Sequence, residues 1–366
     1  YIAPRNDIEE KVVSIFEEIL GVDRVGIKDS FFEFGGDSIK AIRVVSKMRE
    51  AGYDVSVKDV MKKYTVEAIA DSAVLEVERK YEQGEITGAV ITTPIIETFE
   101  GWKLKKPHHF NQAMMIKVNT DNEKEISKVL DVLVKHHDVL RSVYRNKKLE
   151  ILSMIESRKY DLNVYDLRNE NNTHYIVEKE CGKLQSSISL ENGPLMKVGL
   201  FKTQSGNYMM ICIHHLAVDG VSWRILLEDF NTVLTQLKNG EEIVLPRKTA
   251  SYKDWGEALS EYKSSKVLEN ERGYWSKVVS KIKDGEIKGD SSCIKSGYGN
   301  INISFSKSET KDLMYNAGRA FNTEINDLLI SAIGISVKKL TGQNKTAVVL
   351  EGHGREEIHK KIDIDR

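Results

Sequence analysis

The residues best suited to chemistry stand at the ends of two apolar runs. Met209-Met-Ile-Cys-Ile leads straight into His214 and His215, and Asp219-Gly220 follows four residues after the second imidazole. Far along the chain, Thr346-Ala-Val-Val-Leu350 ends in Glu351, which opens the glycine-spaced string Gly352-His353-Gly354-Arg355. An imidazole and a carboxylate at such positions could exchange protons with a substrate. Two plainer readings stand beside that one. The histidines could simply finish a strand with satisfied hydrogen bonds, and residues 351–357 could be a charged surface turn. A metal is not expected, because His-His-x-x-x-Asp matches no common zinc spacing. The remaining candidate is Ser38, which follows Gly35-Gly36-Asp37 where a helical pattern begins; taken alone it reads as an N-cap serine.

The elements that must hold these groups follow from periodicity. Residues 209–213 read as a buried strand, Asp219-Gly220 as a turn, and Val221 to Phe230 as a helix with Trp223, Leu226, Leu227 and Phe230 on one side. The histidine pair is then placed on a loop fixed by a rigid scaffold. Around Ser38, residues 6–75 predict a small helical bundle. Asn6 or Asp7 caps a first helix with the stripe Ile8, Val12, Ile15, Phe16, Ile19, ended by Gly21. A second helix starts at Ser38 with Ile39, Ile42, Val45 and Met48 inward and stops at Gly52. Ser56 and Thr65 cap two shorter ones, over 57–63 and 66 to about 72.

Residues 76–92, charged and containing two glycines, read as a linker. Strands are expected at 113–118, 149–155, 195–200 and 207–213 in a mixed sheet, with a helix over 122–135. His136-His137 close that helix, where positive charge would complement its dipole. A further helix over 251–262 and the pair Tyr274-Trp275 supply Trp255 and Trp275 as packing residues. Residues 281–299 read as a loop, 300–305 as a strand, and 323–332 as a capped amphipathic helix.

Composition excludes several function classes. The 366 residues are too many for one ordinary core, and 40% apolar with 30% charged residues is a globular composition. A net charge of -1 without a basic block argues against nucleic acid. No apolar run is long enough to span a bilayer, and no signal peptide is evident. Cys181, Cys212 and Cys293 are odd in number and far apart, which fits a reducing, cytoplasmic setting rather than a disulfide framework. The chain opens on Tyr1 rather than Met and ends without a cap or tail composition, so a piece of a longer polypeptide is expected.

Three strings carry a resemblance. Phe31-Phe-Glu-Phe-Gly-Gly-Asp-Ser-Ile39 resembles the attachment site of peptidyl carrier domains; its Gly-Gly-Asp-Ser form, with Asp37 where many carriers have His, resembles carriers that feed an epimerization domain. His214-His-Leu-Ala-Val-Asp-Gly220 resembles the HHxxxDG motif shared by condensation and epimerization domains of nonribosomal peptide synthetases. Glu351-Gly-His-Gly-Arg-Glu-Glu357 resembles epimerization domains within that superfamily, as do His136 to Arg141 and the opening strings 94–99 and 109–112. In the opening motif this chain departs from the family pattern at Ile96, where Gln is usual, and at Thr98, where Trp is usual.

The resemblance implies a mixed α/β chain in four parts: a helical peptidyl carrier over 1–75, a linker over 76–92, the N-terminal lobe of a chloramphenicol-acetyltransferase-like domain over 93–290, and the start of its C-terminal lobe over 291–366. It implies phosphopantetheine attached to Ser38, beside Asp37, and an isomerase that converts the α-carbon of an aminoacyl or peptidyl thioester from L to D. A thioester suits this, because it stabilises the enolate better than an amide does, and one proton donor or acceptor on each face completes the machinery. His215 and Glu351 take those roles by resemblance. His214 would orient, and Asp219 with Arg355 would form a structural, bidentate ion pair. His353 takes no single role. Implied partners are an upstream adenylation domain, a phosphopantetheinyl transferase and a downstream condensation domain. A condensation domain, or a carrier beside a non-catalytic docking domain, are the alternatives.

Overall fold

The computed structural model describes residues 1–75, 81–287, 301–318, 321, 323, 325–352, 354–355, 358, 362–364 and 366. They form two units, residues 1–263 with 353–366, and residues 264–352. Cys293, His353, and positions 356 and 357 of the Glu351 string lie outside the described residues.

The first unit opens with α1 (Asp7–Leu20), which starts where the Asn6 side chain accepts the Glu9 N–H and stops at Gly21 in the left-handed region, φ 70°. Helix α2 (Ser38–Glu50) follows, with a short β1 (Tyr53–Asp54), then α3 (Val57–Lys63) and α4 (Val66–Ala70), the last two capped by Ser56 and Thr65 as their sequences require. A two-residue β2 (Val74–Leu75) pairs antiparallel with β1. Val12, Phe16, Phe31, Val44, Met48 and Ile69 are wholly buried between these helices, each worth about 1.5–3 kcal/mol of apolar burial.

The rest of the unit is a layered α/β structure. In order come β3 (Gly88–Ala89), α5 (Pro94–Gly101), β4 (Asn111–Val118), α6 (Glu123–His136), β5 (Ser142–Arg145), β6 (Lys148–Ile151), β7 (Asp161–Asp166), α7 (Thr173–Ser186), β8 (Met196–Thr203), β9 (Gly206–His214), α8 (Gly220–Asn239) and α9 (Tyr252–Tyr262). Strands β4-β9-β8-β7 form one sheet, antiparallel except for the parallel pair β7–β8, and β3-β6-β5 form a second. Helices α6 and α8 pack on the larger sheet, so that Leu130, Leu200, Phe201, Met209, Ile213 and Phe230 share one core. Nearly all of β8 and the second half of β9 are buried, which is why both read as continuous apolar runs.

Ile42 departs from the expected inward stripe of α2. It is 2% exposed, yet it is buried against Val221 and Ile225 of α8 rather than inside its own bundle. An ion pair to α8 accompanies this contact, Arg43 to Glu228 at 2.5 Å, and Arg49 further along α2 pairs with Asp363 at 3.0 Å. The expected linker also differs from a free tether over its second half. Lys248 N–H donates to the Gln83 side chain at 2.9 Å, and the Lys248 ammonium reaches Gly84 O and Asp138, each at 2.7 Å. Residues 76–80 lie outside the described part.

The second unit contains α10 (Lys266–Gly285), α11 (Lys307–Tyr315) and α12 (Ile325–Thr341). Helix α10 runs into the expected 281–299 loop as far as Gly285; residues 288–299 lie outside the described part. The strands expected at 300–305 and 346–350 are not formed over the described residues, where Ile301 and Val349 are 91% and 99% exposed. Alternation prepares a segment to pair, but a strand exists only when a neighbour takes its backbone hydrogen bonds. Trp275 is likewise exposed, its Nε1 donating to Glu271, so it does not pack as expected. No helix among the described residues is long and apolar enough to cross a membrane.

Candidate active site

The larger sheet carries the histidine pair. Asn111 of β4 stands opposite His214 of β9, so the next step of the ladder sets Phe110 beside His215. The Phe110 carbonyl accepts the His215 N–H at 3.0 Å, and the two rings stack with centroids 5.0 Å apart. The two imidazoles then diverge. His214 is fully buried; its Nε2–H donates to Pro107 O at 2.9 Å and its Nδ1 accepts the Leu216 N–H at 3.2 Å. Burial lowers its pKa to about 4, so it is an uncharged post under the loop. His215 is half-buried, its Nδ1 2.9 Å from Val218 O and its Nε2 3.1 Å from the Gln112 amide nitrogen.

Asp219 caps α8 by accepting the Ser222 N–H at 2.7 Å and the Ser222 hydroxyl at 2.8 Å. Arg355 approaches the same carboxylate with one nitrogen, Nη2, at 3.4 and 3.5 Å, and donates to Ser222 Oγ at 3.1 Å. The expected bidentate fork is therefore a single-nitrogen bridge, because the other nitrogen, Nη1, is engaged by Ile364 O. Burial pushes the Asp219 carboxyl up, but the Arg355 charge and the Ser222 bonds outweigh it, and the net shift is downward.

Ser38 occupies the first position of α2, behind Asp37, whose carboxylate accepts the Lys40 N–H at 2.7 Å. Gly36 is demanded there: a Cβ would come within 2.4 Å of the Phe31 ring and 2.5 Å of its carbonyl. Lys40 also donates to Gly35 O at 2.8 Å. A turn of half-buried glycines and exposed Asp37, leading into Ser38 at the start of a 13-residue helix with a lysine in its first turn, fits an attached phosphodiester.

Four expected residues, His214, His215, Asp219 and Arg355, thus converge on the loop between β9 and α8. Glu351 lies in the second unit, exposed and in an irregular stretch. The second histidine pair behaves differently from its expected dipole role. Burial lowers the His136 pKa to about 4, so it supplies no positive charge at neutral pH. His137 instead lies 2.7 Å from Asp229, which also takes Arg366 at 2.6 Å. Ligand atoms of His136, His137 and Asp229 lie within 4.8 Å of one another, but a guanidinium already holds this carboxylate. Arg141, from the same motif, is wholly buried and donates to Val134 O, Leu152 O, Ile86 O and Asp138.

Sequence reasoning gave no role to Gln112 or Trp223. Both stood in quoted strings, one in His109-Phe-Asn-Gln112 and one on the apolar side of α8; only the folded structure places the Gln112 amide between the Trp223 indole and His215.

With this geometry in place, comparison with known proteins identifies the class. Residues 102–366 match the condensation-domain family and residues 10–72 match the phosphopantetheine attachment site family. The chain belongs to the condensation-domain family and contains a carrier domain of the kind that bears covalent phosphopantetheine. All of it aligns with bacitracin synthase 2 of Bacillus licheniformis at 40% identity, over 14% of that protein. It aligns with gramicidin S synthase 1 of Brevibacillus brevis at 37%, over 34% of that protein. The chain thus spans about a third of these relatives' length or less. The crystal structure of the epimerization domain from the third module of tyrocidine synthetase B is 34% identical with a TM-score of 0.73, covering 79% of this chain and 66% of that one. The chain is a carrier domain followed by a condensation-superfamily domain of a nonribosomal peptide synthetase.

Proposed function

We propose that this chain inverts the α-carbon of an aminoacyl or peptidyl thioester, from L to D, with the substrate tethered at Ser38 and with His215 and Glu351 as its proton-transfer pair. The observation that carries the reading is the likeness, at 34% identity, to a solved epimerization domain. The string Glu351 to Glu357, by which the sequence resembles epimerization domains, supports it. Phosphopantetheine supplies a thiol whose thioester acidifies the α-hydrogen. The protein's part is to hold and move protons. His215 sits on a loop fixed from below by buried His214 and from the side by capped Asp219 and Arg355. Its Nε2 is the atom for proton transfer, since Nδ1–H is committed to Val218 O. Glu351 is assigned to the opposite face of the α-carbon. The partners that follow are an adenylation domain that loads the arm, a phosphopantetheinyl transferase that installs it, and a condensation domain that accepts the product.

Peptide-bond formation is the second reading, favoured by the condensation-domain family match over 102–366. One experiment separates the two. Ser38 is loaded with an L-aminoacyl phosphopantetheine in heavy water, and the released acid is assayed for chirality and mass. D acid carrying deuterium at the α-carbon is expected, and Glu351→Gln is expected to lower its formation by at least about a hundredfold without affecting loading. Amide formation with an acceptor carrier and no α-deuterium would establish condensation instead.

A further inference from the structure

We propose that Gln112, itself oriented by Trp223, is a positioning residue that fixes which ring nitrogen of His215 carries the proton. This deepens the reaction proposed above and rests on that reading for its catalytic meaning, though not for its geometry.

A side-chain amide has a donor end and an acceptor end of almost the same shape, and only its partners decide which way it faces. An indole N–H can donate but never accept. Trp223 Nε1 lies 2.8 Å from Gln112 Oε1, so the amide oxygen must face Trp223. The amide NH2 is thereby turned to His215 Nε2, 3.1 Å away. At the other side of the imidazole, Val218 O can only accept, and it lies 2.9 Å from Nδ1. Both ends demand the same tautomer: the proton on Nδ1, a lone pair on Nε2.

The relay is built into rigid parts. Gln112 lies on β4, opposite Ile213 of β9. Trp223 is buried in the first turn of α8. The titratable groups beside the histidine loop include His214, His108, and Asp219 with Arg355, and β4 and α8 further carry Lys117, Arg224, Glu228, Asp229 and Lys238; none is altered in the test below.

A proton accepted at Nε2 would face an NH2 that can only donate. Gln112 therefore accepts no hydrogen bond from the protonated ring and does not itself trap the proton. An inverted amide would do the reverse: its oxygen would hold an Nε2–H, and the nitrogen would no longer present a lone pair.

The test reads the tautomer and the reaction separately. Nitrogen-15 spectra of His215 in the full chain are expected to show Nδ1–H and unprotonated Nε2 at pH 8. Trp223→Phe keeps the ring packing but removes the indole N–H that orients the amide, and Nε2–H should then become populated. Gln112→Glu accepts at both ends and should make Nε2–H dominant. Both variants should slow α-deuterium uptake by about tenfold or more, with Ser38 loading unchanged. Should Trp223→Phe fail to fold, Gln112→Glu decides, since it keeps a partner for the indole. An unchanged His215 spectrum in Gln112→Glu would overturn the proposal. A switched tautomer in a protein whose wild type takes up no α-deuterium would leave the relay standing and overturn the reaction.

Discussion

His214 and His215 are chain neighbours with opposite surroundings, and the strand's end divides their work. His214 completes the ladder, where Pro107 O and Leu216 N–H take both ring nitrogens and burial holds the pKa near 4. This has a pH signature. An unfolded histidine titrates near about 6.5, so unfolding takes up a proton throughout the interval from there down to about 4. The stability contributed by the neutral ring is complete above that interval and is lost as pH falls through it, on the order of 3 kcal/mol at most. Urea unfolding of wild type and His214→Gln at pH 7 and pH 4.5 checks this. Wild type should lose about 2–3 kcal/mol more than the variant across that interval. Parallel losses would mean that the folded protein protonates His214 without cost.

At the scale of elements, the meeting of α2 with α8 is the arrangement that sequence reading could not reach. Ile42 shares a helical stripe with Val45 and Met48, and nothing in its spacing says that it leaves the bundle for Val221 and Ile225. Ser38 precedes Ile42 by one turn, or about 6 Å of axial rise, on the helix that packs against α8, whose start carries the histidine loop. Three buried apolar side chains and the part-exposed Arg43–Glu228 pair make a small contact. Reversing one charge should oppose it. Glu228→Arg is expected to slow inversion by about three- to tenfold, and adding Arg43→Glu should recover most of the loss. Single-turnover chirality assays on the three variants measure this, and a double variant as slow as the sum of its parts would show that the ion pair does not guide the carrier.

At the scale of the molecule, legibility followed burial. Caps and stripes of the bundle, strands β8 and β9 and helices α6 and α8 were readable, because one buried face or a fully buried run imposes a period on the residues. Helix α7, with Leu184 as its only buried residue, and α5 carried too little of that signal. The segment after Tyr81 was unreadable for another reason: its composition is that of a tether, while its fixation comes from distant side chains. Lys248 bonds Gly84 and Asp138, Asp138 accepts the Ile86 N–H, and buried Arg141 donates to Ile86 O. The strap ties the chain from Gln83 onward to the sheet domain, and a shorter tether raises the effective concentration of the arm at the histidine loop. Lys248→Met removes the ammonium but keeps most of the stem's apolar volume. Amide exchange over residues 83–90 is expected to speed up by about tenfold or more, while β8 and β9 keep their protection. First-order inversion on the loaded carrier should fall in parallel as the tether lengthens. Faster exchange with an unchanged inversion rate would separate the two, and would show that docking of α2 on α8, rather than the strap, sets how often the arm arrives.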